Sequence, residues 1–289
     1  MGILANEDSK IIIQGITGRK GLFFSNQMIS NGVQVVAGVS PGKGGDWVLD
    51  GKVPVFDTVD AAVDATGADA SILFIPEKNV ADALIESINA EISLIISIAN
   101  GLPNQDILKI KAYSETRPVR LLGPGSPGMI TMGNKSMGIV PPMISKTGNI
   151  GVVSCSGPLA YQVLIELAEA DLGISTFVGL GNEEILFSDL CDILELYEMD
   201  PFTEKILIII EDNFGFEERV AQLISDHISK PVVGYLPGYS YFSQCEANRI
   251  NSYLDNKKKG WDEKINLLKS AGVRIAALPQ EIPLIIRKI

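Results

Sequence analysis

Histidine is nearly absent: position 227 holds the single one in 289 residues. Acid–base, metal-ligating or phosphoryl-carrying imidazole chemistry therefore has no other side chain to use. A basic excess is also missing. With 24 Lys and Arg against 35 Asp and Glu, the net charge is −11, which excludes a general nucleic-acid or anionic-membrane surface. Any polyanionic ligand must be met by local cations, and these gather as Arg19, Lys20 and Lys43. Cysteine is scarce. Cys155, Cys191 and Cys245 are odd in number and lack metal-ligand spacing, so they read as reduced thiols in a cytosol-like compartment, with no zinc site. No apolar run is long enough to span a bilayer. The opening residues lack a basic n-region, and Asn6 breaks the myristoylation pattern, so the expectation is a cytoplasmic protein without a membrane partner.

What the chain does have is apolar content, 46% of its residues, in short β-branched runs that alternate with amphipathic segments. Strands are predicted at 10–14, 34–39, 70–75, 93–98 and 120–122, with helices at 17–30, 79–89 and 104–113. Strands that are apolar throughout are buried on both faces, which is the pattern of a parallel sheet flanked by helices. A Pro- and Gly-rich passage follows at 123–128 and 141–142, and then the alternation restarts. The second half is predicted to place strands at 149–153, 175–179, 205–210, 232–235 and 273–277. Its helices are expected at 157–170, 188–198, 217–227, 262–271 and 282–287. The division is set at 1–143 and 144–289: two α/β domains, each doubly wound. The long polar and aromatic segment 236–260 is of a length that is usually functional or mobile.

Two glycine-bearing turns follow the first strand of each half: Gln14-Gly15-Ile16-Thr17-Gly18-Arg19-Lys20-Gly21 and Ser154-Cys155-Ser156-Gly157. Each sits where a helix N-terminus would aim free N–H groups and a partial positive charge at an anion. In open α/β sheets ligands bind at such carboxyl strand ends. The end of the second strand is discriminating. A dinucleotide site of the NAD type wants an acidic residue there for the ribose hydroxyls, but the chain reads Val39-Ser40-Pro41-Gly42-Lys43-Gly44-Gly45. A cation in a glycine loop favours a phosphorylated ribose, and CoA, with a pyrophosphate and a 3′-phosphate, suits Arg19, Lys20 and Lys43 better than NAD does.

In order and spacing, several stretches resemble the α subunit of succinyl-CoA synthetase, the nucleotide-forming succinate–CoA ligase. They are Gln14-Gly15 with Thr17-Gly18, Gly38-Val39 with Pro41-Gly42-Lys43-Gly44-Gly45, Gly101-Leu102-Pro103, Gly123-Pro124, Pro127-Gly128, Ser156-Gly157, Tyr161 and Lys230-Pro231-Val232-Val233-Gly234-Tyr235. The resemblance implies an N-terminal Rossmann-type CoA-binding domain and a C-terminal flavodoxin-like ligase domain. It also implies a β-type partner subunit with an ATP-grasp nucleotide site, and a small carboxylic acid or acyl-CoA as substrate. Carried over residue by residue, CoA contacts fall on Thr17, Gly18, Arg19, Lys20, Lys43, Ile98, Ala99 and Asn100. The acid substrate falls on Tyr161, and the phosphate-binding turn on Ser154, Ser156 and Gly157.

The catalytic half departs from that pattern. The family passes a phosphoryl group to a histidine in the loop after 232–235, where this chain reads Gln244-Cys245-Glu246-Ala247-Asn248-Arg249-Ile250-Asn251. Asn248 or Arg249 stands near the histidine's place; an amide nitrogen offers no lone pair, and a guanidinium stays protonated. His227 ends a predicted helix, where a histidine commonly complements the dipole. Pro158 replaces a threonine, Asn100 an acidic residue, Gly125-Ser126 an Asn-Cys pair, and Asn182-Glu183-Glu184 a glycine-rich segment. Glu211 matches a glutamate that partners the phosphohistidine, but its own partner is missing here. Cys155 at a helix start, Cys245 and Glu246 are the weak replacement nucleophiles. The expectation is a CoA-binding α-type subunit whose remaining chemistry interconverts acyl-CoA and acyl phosphate. The alternative is a non-catalytic partner of a β-type subunit. A Rossmann oxidoreductase is disfavoured by Lys43.

Overall fold

In the computed structural model, residues 3–131, 133–141, 144–211, 217–237 and 262–289 are described. The chain forms two compact units, Met1–Met143 with Val178–Asp189 and Ile144–Phe177 with Leu190–Ile289.

In the first unit, strands β1 (Lys10–Gln14), β2 (Gln34–Val39), β3 (Trp47–Val48), β4 (Val53–Phe56), β5 (Ala70–Leu73), β6 (Leu94–Ser97) and β7 (Arg120–Leu122) lie in the order β3-β4-β2-β1-β5-β6-β7. All pair in parallel except the antiparallel β3 and β4. Helices α1 (Arg19–Ser30), α2 (Val59–Thr66), α3 (Val80–Asn89) and α4 (Asn104–Ser114) make the crossovers. A hairpin of β8 (Gly128–Thr131) and β9 (Lys135–Gly138) follows. The buried Ile12, Ala37, Leu73, Leu84 and Ile95 belong to one core cluster, as expected where a strand carries no polar face. The chain moves outward from β1 on one side and then on the other, so its switch point lies beside β1.

Segment β3–β4–α2 is not among the elements predicted from the sequence. Lys52-Val53-Pro54-Val55-Phe56 is short and contains a proline, which argues against a strand in isolation. Pro54 is tolerated beside the two-residue edge strand β3. Helix α2 is opened by Thr58, whose hydroxyl accepts from Ala61 N–H at 3.2 Å, and closed by Gly67 at φ 65°.

In the second unit, β10 (Thr147–Ser154), β11 (Ile174–Gly179), β12 (Lys205–Ile209), β13 (Val232–Tyr235) and β14 (Arg274–Ala276) take the order β14-β13-β12-β10-β11. This is the flavodoxin-like arrangement, with its switch point between β10 and β12. Around it lie α5 (Gly157–Glu169), α6 (Leu190–Met199), α7 (Glu217–His227), α8 over 262–270 and α9 (Ile282–Ile286). Buried Tyr197 on α6 donates its hydroxyl to Val152 O at 2.7 Å and Thr176 O at 3.1 Å, tying the helix to the sheet. Among the described residues, no helix is long and apolar enough to cross a membrane.

Candidate functional site

The loops after β1, β2, β4 and β6 all leave the same carboxyl edge of the first sheet, as the registers Gln14↔Val39, Val39↔Phe56, Gln14↔Leu73 and Leu73↔Ser97 require. After β1, Gly15 adopts φ 75°, and a side chain there would meet Phe74 O at 2.6 Å. Only glycine lets the chain turn into α1 this close to the neighbouring strand. Gly18 is the N-cap of α1 and, having no side chain, leaves the helix without a side-chain cap. No acidic residue occupies the first turn, which instead begins with exposed Arg19 and Lys20. Cations beside the positive end of a helix dipole are unfavourable alone, and an anion seated there relieves them.

Thr17 follows on the same turn, its hydroxyl 3.0 Å from Ser40 Oγ, which links the first loop to the second. Lys43 lies exposed in the second loop. That loop is fastened from a residue the sequence reading passed over. Asp57, immediately after β4, accepts through one oxygen from Gly42 N–H at 2.7 Å and Gly44 N–H at 2.9 Å. Bonds from Gly44 and Gly42 hold its carboxyl below the usual carboxylate range. In the sequence its only signal is an acidic residue two positions past Val55, which has meaning only once Val53–Phe56 is recognised as a strand.

Ile98 and Ala99 are half-buried and Asn100 is exposed beyond β6. Gly125 N–H donates to Ala99 O at 2.9 Å. The segment carrying Asn182-Glu183-Glu184 belongs to this first unit, where Glu183 accepts from Gly101 N–H at 2.7 Å. Glu183 is therefore engaged with backbone beside the 98–100 segment.

In the second unit, the turn after β10 is bonded within itself. Ser154 and Ser156 are buried. Ser154 Oγ donates to Ser156 O at 2.7 Å and accepts from Ser156 N–H at 3.0 Å, so that donor is already used. Pro158, in the first turn of α5, has no N–H to offer. Gly157 remains at the helix start. Cys155 is 1% exposed, and its N–H bonds Ile209 O at 3.1 Å; burial of this degree leaves no approach for a substrate. Half-buried Tyr161 lies on α5, its phenol pushed up by burial. Half-buried Glu211 follows β12 at the switch point, two residues beyond Ile209, which pairs with Ser154. His227 is exposed at the last position of α7. Cys245, Glu246, Asn248 and Arg249 lie outside the described residues. Among the described residues, no group of three or more His, Cys, Asp or Glu could hold a metal ion.

Residues 6–101 match the CoA binding domain family, and residues 147–282 match the succinyl-CoA ligase like flavodoxin domain. Over 282 residues the chain is 37% identical to the succinate–CoA ligase [ADP-forming] subunit alpha of Staphylococcus aureus, covering 98% of this chain and 93% of that one. The Staphylococcus epidermidis subunit matches at the same identity and coverage. The chain belongs to the succinate–CoA ligase alpha subunit family. It accordingly carries a CoA-binding domain followed by a flavodoxin-like ligase domain. Solved structures share the fold of this family member. An ATP citrate lyase from Methanothrix soehngenii, in complex with citrate and coenzyme A, superposes with TM-score 0.82 at 20% identity, over 99% of this chain and 50% of that one. A dinucleotide forming acetyl-coenzyme A synthetase 1 from Ca. Korarchaeum cryptofilum, in complex with phosphate and ADP, gives 0.73 at 18% identity over 94% and 58%. The chain thus spans about half the length of both.

Proposed function

We propose that this chain is the CoA-binding subunit of an acid–CoA ligase, that it works beside an ATP-grasp partner subunit, and that it does so without a phosphohistidine relay. The observation that carries the reading is the uncapped, cation-flanked start of α1 beside the Lys43 loop, in a chain whose single histidine closes α7. Thr17, Gly18, Arg19 and Lys20 would hold the pyrophosphate on the helix N-terminus. Lys43, at the end of β2 where a Rossmann-type site receives the ribose, would meet the 3′-phosphate. Ile98, Ala99 and Asn100 would line the path of the remaining chain, and Tyr161 would contact the acid substrate.

CoA supplies the thiol that takes the acyl group. The task left to this chain is to bind, orient and exclude water while an acyl phosphate gives up inorganic phosphate, its carbon–oxygen bond breaking as a carbon–sulfur bond forms. No side chain need carry the phosphoryl group in that step. The relatives are named as ligase subunits, which favours a catalytic subunit over a non-catalytic partner.

Titration calorimetry with CoA, dephospho-CoA and NAD tests the binding half. CoA is expected to bind most tightly and NAD least, and tight NAD binding without CoA binding would return the oxidoreductase reading. Incubation with γ-labelled ATP and a β-type subunit tests the relay. No stable label on this chain is expected; a protein-bound phosphoryl group would reinstate a relay.

A further inference from the structure

We infer that Asp57 is a positioning residue that holds the 42–44 loop in the shape that presents Lys43 to the 3′-phosphate of CoA; the inference rests on the reading of Lys43 given above. The position of Asp57 is set by the sheet, not by the loop. Parallel register pairs Gly38 with Val55 and Val39 with Phe56, and Ser40 N–H donates to Phe56 O at 2.9 Å, so the residue after β4 is fixed beside the exit of β2. From there its carboxylate takes the two N–H groups that flank Lys43, at 2.7 and 2.9 Å. The loop has little else to define it. Three of its residues, Gly42, Gly44 and Gly45, are glycines, and Gly42 and Gly45 adopt φ 76° and 91°. Lys43 N–H bonds Ser40 O at 3.0 Å, and Gly45 N–H bonds Val55 O at 3.0 Å.

The backbone is thus wrapped on an anion that the protein itself provides, as such loops wrap on phosphates. Gly44 fits this arrangement closely. A Cβ at that position would lie 2.5 Å from Asp57 Oδ2 and 2.8 Å from Cγ. Because these N–H groups are occupied, a ligand phosphate meets the Lys43 ammonium and not the loop backbone. Discrimination between CoA and dephospho-CoA then depends on Lys43 for the contact and on Asp57 for its placement.

The experiment measures the ratio of dephospho-CoA to CoA dissociation constants in wild type, Asp57→Ala, Asp57→Asn, Gly44→Ala and Lys43→Ala, each checked by circular dichroism. Amide exchange at residues 42 and 44 supplies a readout that needs no ligand. One charge-assisted contact is worth about tenfold or more. Lys43→Ala should abolish that preference, and Asp57→Ala should lose most of it while dephospho-CoA affinity stays unchanged. Asp57→Asn keeps an acceptor oxygen and should retain part of the preference. Gly44→Ala, which displaces the carboxylate without removing it, should behave like Asp57→Ala. Amides 42 and 44 should lose protection in Asp57→Ala. Wild-type protein binding both ligands alike would remove the reading of Lys43 and the inference with it. A wild-type preference that survives intact in Asp57→Ala and Gly44→Ala would overturn the role of Asp57 alone.

Discussion

The decisive residues are small or charged and sit at strand ends. Fixing one residue's backbone costs about 1–2 kcal/mol, so a loop with three glycines in four positions is ordered only by something outside itself. A carboxylate taking two N–H groups is such an anchor. Its direct repulsion of a nearby phosphate is weakened by the surrounding water, so ordering outweighs it. Asp57 is held below the usual carboxylate range. Its clamp is therefore complete above the ordinary Asp pKa of about 4 and is lost only as pH falls through the lower folded value. CoA preference over dephospho-CoA, followed by calorimetry from pH 8 to 5, should show no contribution from release of this clamp. Arg19→Ala should weaken CoA about tenfold and weaken dephospho-CoA equally, because the pyrophosphate is common to both ligands.

Helix α5 shows how a proline limits what an element's terminus can offer. Pro158 removes a donor from the first turn, and the Ser154 hydroxyl occupies another. Pro158→Thr restores an N–H and a hydroxyl and is expected to raise affinity for inorganic phosphate, measured by calorimetry; unchanged binding would mean that the buried serine turn alone closes the site. Helix α6 is pinned by Tyr197. Tyr197→Phe strips a donor from Val152 O and Thr176 O and should lower unfolding free energy by about 1–3 kcal/mol in urea titration. Burial, followed by the nearby Asp200 charge, pushes this phenol well up. The stabilisation is fully present below the unfolded pKa near 10 and declines as pH rises through the higher folded value. The wild-type melting temperature should therefore fall above about pH 10, with a smaller fall in Tyr197→Phe.

At the scale of the whole molecule there are two doubly wound sheets, each with its own switch point. In the first unit the helix start keeps its cations and the neighbouring loop is braced. In the second, the Ser154 hydroxyl and the Ser156 N–H of the corresponding turn bond within it. That difference favours the proposed reading, in which this chain places CoA without itself carrying the phosphoryl group. Co-incubation with a β-type subunit, acyl phosphate and CoA should yield acyl-CoA without protein labelling. The order of the strands within each sheet came from the structure, whereas most of the parallel strands themselves were legible because apolar β-branched runs declare burial on both faces. The β3–β4–α2 segment was not, because a proline in a short run weighs against a strand until an edge partner is known. Arg19, Lys20 and Lys43 stand out in the sequence by their charge in an acidic chain, whereas Asp57 does not stand out, because its bonds to Gly42 and Gly44 depend on a register between strands that the sequence does not display.

The amino-acid sequence by itself determined the two α/β halves, the glycine turn into α1, the local cations in an acidic chain and the confinement of imidazole to position 227. These follow from composition and from spacings of a few residues, where steric and dipolar rules act locally. Only the tertiary structure decided that Asp57 braces the Lys43 loop, that Cys155 is buried, that the Ser154 hydroxyl fills its own turn and that Glu183 serves Gly101. Apart from the Ser154 turn, each depends on groups brought together by packing or sheet pairing, and such distances are set when long-range contacts form, not by neighbours along the chain.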